Sequence, residues 1–251
     1  MICRLCLQQK KLVKAHIIPK WVFKNLYPSP KNIDGRLIMV DTKTPYSKRK
    51  PIGIYDNSIL CKECDREIGK YDDYAKKIFL DTQLKNHASL KEAYLIQNIK
   101  DIPKIKLFFV SLLWRASVSG LKEFKKINLG NYENKFRKIL FNNKSDLGEI
   151  EIIIGKFDSK IIPTLTNKNI LLPLKTKING INTYIVYLPM GFKIWVKVDK
   201  RNFPDPLNKI AINNIKNEIL VMRLGDYEKS KEFKIMSSLA NTIPNPYAKT
   251  K

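Results

Sequence analysis

Histidine is almost missing from this chain, with two residues in 251. Cysteine is nearly as scarce. There are four, and all four fall in two Cys-x-x-Cys pairs. That pattern excludes a disulfide-rich secreted scaffold, and it leaves His16 and His87 as the only imidazoles available for chemistry. Acidic residues are also few, 23 against 47 Lys and Arg, so the formal net charge is +24 and the pI lies near 9.8. Long apolar runs are missing too. The longest strongly apolar stretch, Leu107 to Trp114, is far shorter than the roughly 20 residues that span a bilayer. A charged residue and a cysteine pair stand where a signal peptide would place its apolar region. A soluble, cytoplasmic protein with no membrane partner is therefore expected. No internal repeat is evident.

What is there begins with the two pairs, Cys3-Arg-Leu-Cys6 and Cys61-Lys-Glu-Cys64. In a reducing compartment, paired spacing of this type favours a structural Zn²⁺ held by four thiolates. A redox Cys-x-x-Cys would want a neighbouring βαβ pattern, and none is found. Between the pairs lies Ala15-His16-Ile17-Ile18-Pro19-Lys20. Residues 1–50 hold twelve Lys and Arg against two Asp and Glu, a net of +10 around His16. A charge excess of that size repels itself unless an anionic partner neutralises it, and a phosphate backbone is such a partner. Lys14, Lys20 and the cluster Lys48-Arg49-Lys50 are the candidate nucleic-acid contacts. The cluster reads equally well as a solvated loop.

The element pattern is α+β. Leu12 to Ile17 reads as a short strand, and residues 28–53, rich in Pro and Gly, read as an exposed loop or hairpin with a strand at Leu37 to Val40. Ile68, Tyr71, Ala75, Ile78 and Phe79 have helical spacing across residues 61–84. The pattern predicts further helices at 87–99, from Lys104 to about Lys126, and from Tyr132 to Phe141. Strands are predicted at Glu149 to Ile154, Thr183 to Leu188, Phe192 to Val198 and Glu218 to Leu224, with Pro189-Met190-Gly191 as a hairpin turn. A short helix follows at Lys229 to Leu239, then a frayed tail after Thr242. The expected organisation is a zinc module over 1–85, a helical region over 86–145, and an α+β region over 146–251 that binds nucleic acid or a protein partner. Trp21, Trp114 and Trp195 read as core. Arg115, in an apolar helix, reads as buried and paired, with phosphate clamping as its functional alternative. Asp72 and Asp73 read as solvated.

Together, Cys3-x-x-Cys6, His16-Ile17-Ile18-Pro19 and Cys61-x-x-Cys64-Asp65 resemble the HNH nucleases, also called His-Me finger or ββα-metal endonucleases. The resemblance covers about residues 1–75. It implies a strand pair and a helix around one catalytic Mg²⁺ or Mn²⁺, a structural four-cysteine zinc, and hydrolysis of DNA phosphodiester bonds, in a setting such as restriction or anti-phage defence. It makes His16 the general base, a role that suits an imidazole neutral at physiological pH. It makes Pro19 the end of the first strand and Asp65 the metal ligand at the start of the helix. Asp56, or its neighbour Asn57, is the residue that orients the base or its loop. One position departs from the family, because Ala15 stands where members carry a second metal ligand. Another group then supplies that ligand, or metal binds weakly, or the site is dead. Glu67, Asp72, Asp73 and His87 are the candidate substitutes. HNH-like proteins with a small residue before the His and a Tyr-acid-x-Tyr-Ala helix, here Tyr71-Asp72-Asp73-Tyr74-Ala75, show the same departure. The competing expectation is a catalytically inactive, zinc-stapled protein that binds nucleic acid or acts as a scaffold subunit.

Overall fold

A tight N-terminal hairpin starts the fold. Ile2 bridges Gln9, the Cys3 N–H bonds the Gln8 carbonyl, and Leu7 turns the chain at φ +60°. The chain then enters strand β1 (Ala15–His16) and the short helix α1 (Lys20–Lys24). The computed structural model describes residues 1–24, 38–39, 48–49, 53–141, 144–159, 171–212 and 217–242. Strand β2 (Ile38–Met39) pairs antiparallel with β3 (Lys48–Arg49), as a hairpin reading requires. Strand β4 (Tyr55–Asp56) pairs antiparallel with β1, and helix α2 (Lys62–Lys76) follows, continuing as a π turn over Lys77–Asp81.

Residues 87–99 do not form the expected helix. They supply strand β6 (Ala93–Ile96), preceded by the edge strand β5 (Lys85–Asn86). Leu90, Ala93 and Tyr94 have helical spacing, but Ala93–Ile96 gains more from pairing with a neighbouring strand than from a local helix. His87 sits in the intervening turn, where its Nδ1 accepts hydrogen bonds from the Ser89 and Leu90 N–H groups at 3.2 and 3.1 Å.

Helix α3 (Ile102–Val118) is the centre of the molecule. The Asp101 carboxylate accepts from the Lys104 N–H at 3.0 Å and Pro103 lies in the first turn, which together start the helix. Ile105, Leu107, Phe108, Phe109, Leu112, Leu113 and Trp114 are all buried, so no side of its middle faces solvent. The helix stops at Val118, short of the expected Lys126. There the Ser119 hydroxyl and Gly120 N–H turn aside to bond Asp56. Helix α4 (Asn131–Phe141) packs on α3, and the Arg137 guanidinium donates to the Leu5 carbonyl beside the first cysteine pair.

The C-terminal part is a mixed sheet of seven strands among the described residues. It contains β7 (Ile152–Asp158), β8 (Leu174–Ile178), β9 (Ile181–Leu188), β10 (Phe192–Lys197) and β11 (Ile219–Asp226), in the order β5-β6-β11-β7-β10-β9-β8. Only β7 and β11 run parallel. The short helix α5 (Leu207–Ile210) and helix α6 (Lys231–Thr242) complete the chain. Ile152, Ile154, Ile194 and Val196 face the main core, while Ile153 joins Phe203 and Ile181 on the other face. Burial on both faces explains the uninterrupted isoleucines of β7. The main buried cluster runs without a break from Cys3 to Val221. Trp21 and Trp114 lie in it, and Trp195 packs against the smaller cluster. No helix among the described residues is long and apolar enough to cross a membrane.

Two positions in this core give direct tests. A Cβ on Gly155 would stand 2.8–2.9 Å from the Cδ1, Cδ2 and Cγ atoms of Leu224. Gly155→Ala is therefore expected to cost about 1–3 kcal/mol by overpacking, and an unchanged urea midpoint would count against this packing. Lys106 is buried, and among the described residues its ammonium has a single protein acceptor, the Leu147 carbonyl at 3.2 Å. Burial lowers its pKa to about 8, with Glu151 opposing and Lys197 assisting. The unfolded chain therefore holds more protons between pH 8 and 10.5, so this group adds stability as pH rises through that window and costs most below it. Lys106→Met is expected to stabilise the protein by about 1–2 kcal/mol at pH 7. The gain should shrink toward pH 10, and a gain that does not change with pH would assign it to packing instead.

Candidate metal centre and His16 site

The four cysteines come from two local devices. Cys3 and Cys6 lie at the tip of the N-terminal hairpin, and Cys61 is the N-cap residue of α2 with Cys64 in its first turn. Helix N–H groups and the helix dipole favour negative sulfur at that end. The hairpin is held to α2 by the Leu12–Cys61 bridge, by Val13 N–H to the Leu60 carbonyl, and by Arg4 N–H to the Ile59 carbonyl. All four Sγ atoms lie within 4.8 Å of one another, and Cys6 and Cys61 are 4.0 Å apart. A tetrahedral zinc with thiolates at about 2.3 Å would set them roughly 3.8 Å apart. The cluster is close enough to coordinate a single ion and matches a structural Zn²⁺ site.

The protonation pattern agrees with that donor set. Burial raises the Cys3 thiol, but N–H donors from Cys6, Cys61 and Leu5 outweigh it and bring the pKa down to about 7. Cys61 and Cys64 are pushed upward, first by burial and then by neighbouring groups that include the other thiols. Four thiols packed this closely resist ionising together unless a cation joins them.

Beside this centre, β1 and β4 place His16 opposite Tyr55 and Ala15 opposite Asp56. The His16 ring meets the Tyr55 ring edge-on at 6.3 Å, and the Lys14 ammonium lies 5.0 Å from the same ring. Asp65 sits one residue after Cys64, in the first turn of α2. Burial raises its carboxyl, while the charges of Arg115 and His16 pull it back. Ala15 has no exposed surface. A ligand at that position would point into the core, so the departure noted above is built into the packing.

Compared with known protein families, curated proteins and solved structures, the chain matches none.

The remaining candidates divide. The Asp56 carboxylate is buried, and both its oxygens are committed. One accepts from the Ser58 N–H and hydroxyl at 2.8 and 2.6 Å, the other from the Ser119 hydroxyl and Gly120 N–H at 2.8 and 3.1 Å. Burial pushes this carboxyl up, but the four donors outweigh it and hold it below the ordinary range. Asp56 thus anchors β4 to the end of α3, while Asn57 is exposed in the following bend. Lys14 and Lys20 are exposed. Lys48 and Arg49 have only their backbone in the described set, and Lys50 lies outside the described residues.

Asp72 is not solvated as expected. It forms a two-point ion pair with Arg115, at 2.8 and 2.9 Å. Burial raises its carboxyl and the guanidinium opposes that rise. Arg115 is 1% exposed, so it is buried and paired as its apolar helix predicted and cannot reach a phosphate. Tyr74 and Ala75 complete the motif's logic: the Tyr74 hydroxyl accepts from the Asp101 N–H, and Ala75 is buried. The Tyr-Asp-Asp-Tyr-Ala pattern therefore locks α2 to α3. Among the described residues, no second group of three or more His, Cys, Asp or Glu converges on one point.

Proposed function

We propose that this chain is a zinc-stapled, metal-dependent endonuclease of the HNH type that hydrolyses phosphodiester bonds of DNA. The observation that supports this reading is the short antiparallel pair β1–β4 followed by α2, whose N-terminus carries the second cysteine pair. In its support, β1 carries His16, Asp65 follows Cys64 in the first turn of α2, and the charge of His16 acts on the Asp65 carboxyl. His16 takes the proton from an attacking water as general base. Asp65 offers one carboxylate to Mg²⁺ or Mn²⁺, which suits an ion that keeps several waters and binds substrate phosphates. A divalent ion bound there stabilises charge on the scissile phosphate and the leaving oxygen. Lys14 and Lys20, exposed on either side of His16 in sequence, contact the phosphate backbone. Asn57, exposed after β4, is the residue that orients the base or its loop, whereas Asp56 keeps β4 in place.

A second reading is a zinc-stapled protein that binds nucleic acid without cutting it, and buried Ala15 favours it. The two are separated by incubating purified protein with plasmid and single-stranded DNA in Mg²⁺, Mn²⁺ or EDTA. Metal-dependent product that requires His16 supports the nuclease. Salt-steep binding without product supports the second reading.

A further inference from the structure

We propose that Arg115, held by Asp72, is the positioning residue for His16. The inference rests on the general-base role given to His16 above. Arg115 lies 99 residues further along the chain, on a different element, and its guanidinium is nearly sealed from water. Its hydrogen-bonding capacity is fully used. Nε donates to the Ser111 carbonyl at 3.2 Å. One terminal nitrogen donates to the His16 carbonyl at 2.8 Å and to Asp72 Oδ2 at 2.9 Å. The other donates to Asp72 Oδ1 at 2.8 Å and to the Ser111 hydroxyl at 3.4 Å. One planar group thereby fixes β1, α2 and α3 against each other.

Strand β1 needs an outside hold of this kind. It has two residues, and its ladder to β4 is two residue pairs followed by the Ile17 N–H bond to the Ile54 carbonyl. Two residue pairs make a short ladder, to which a backbone restraint from outside the strand pair adds directly. The Arg115 bond to the His16 carbonyl adds a restraint on the residue that carries the imidazole. Stability alone does not account for the ion pair, because buried pairs are often replaceable by apolar residues of similar volume without loss. Lysine cannot reproduce the arrangement, since a point charge lacks the planar fork.

The test uses the full-length zinc-loaded protein. Truncating either partner alone leaves a buried unpaired charge and confuses folding with positioning. The informative variants are Arg115→Lys, which keeps the charge, and the double change Arg115→Met with Asp72→Leu, which keeps packing. Both are checked for zinc content and melting. With only two histidines in the chain, ¹⁵N-labelled imidazole spectra give two separable sets of signals. In folded, zinc-loaded variants the His16 signals are expected to shift or broaden while those of His87 stay in place. DNA cleavage should lose about 100-fold in kcat with KM within twofold, the size expected for a misplaced catalytic group. Unmoved His16 signals, or an unchanged kcat, in a folded variant overturns the proposal. Should wild-type protein cut nothing with either metal, the nuclease reading fails separately, and the imidazole spectra still decide whether Arg115 positions His16.

Discussion

Cys61→Ser is expected to abolish zinc binding and to unfold the N-terminal part of the chain, the largest stability effect of any single substitution here. Structural zinc sites contribute apparent free energies of about 10–16 kcal/mol in small modules, comparable to the whole stability of a typical domain, about 5–15 kcal/mol. Cys61 also does more than supply a sulfur. It has no exposed surface, caps α2, bridges Leu12, and donates its N–H to the Cys3 sulfur at 3.4 Å. The hydroxyl of serine is a poor substitute for a soft thiolate. Zinc stoichiometry by elemental analysis and melting by circular dichroism provide the check. Wild-type protein should hold about one zinc per chain. The variant should hold none and melt at least ~10 °C lower. Full zinc content with unchanged melting in the variant would remove the four-thiolate site. Because the hairpin, α2 and α3 share one buried cluster, the loss should also reach probes in the helical middle.

On the nuclease reading proposed above, His16→Ala is expected to leave zinc content and melting unchanged while cutting DNA cleavage by about 10²–10⁴-fold. The separation follows from how His16 is held. Its carbonyl is fixed by Arg115 and its strand partner is Tyr55, and both contacts are made by backbone that alanine retains. The ring itself is only half-buried, so its removal opens little cavity. Plasmid nicking and single-strand cleavage in Mg²⁺, Mn²⁺ or EDTA read the effect. Retained metal-dependent cleavage by a folded His16→Ala protein would move the chemistry to another part of the chain.

Much of the scaffold could be read from the residues because the relevant signals were local. The paired cysteines predicted a four-thiolate centre, and Asp101-Ile-Pro103 marked the start of α3. Pro189-Met190-Gly191 marked the β9–β10 hairpin, where Met190 and Gly191 indeed adopt φ +65° and +78°. Strand β8 escaped, although Asn179-Gly180 carried a strong turn signal. Those two residues take φ +47° and +78° and pair Ile178 with Ile181, but the edge strand before them is too polar to read as buried. Strand β6 was hidden because its longer ladder is to β11, more than 120 residues away, while its local partner β5 has only two residues. At the site, His16 and Asp65 were legible as candidates from motif order. The tie between Asp72, Arg115 and the His16 carbonyl was not, since burial of an acid is set by the partner that packs over it. An arginine inside an apolar helix was the available clue, and it announces a partner without naming it.

Helix α3 presents no solvent face along its middle. A segment enclosed on every side has little freedom to accept new side chains, because each substitution disturbs packing toward either the zinc centre or the sheet. Sequence change in such a protein is therefore tolerated elsewhere, at turns, strand edges and exposed positions such as Lys14 and Lys20. The N-terminal strand pair and the sheet can then change independently only while sharing the same inner helix.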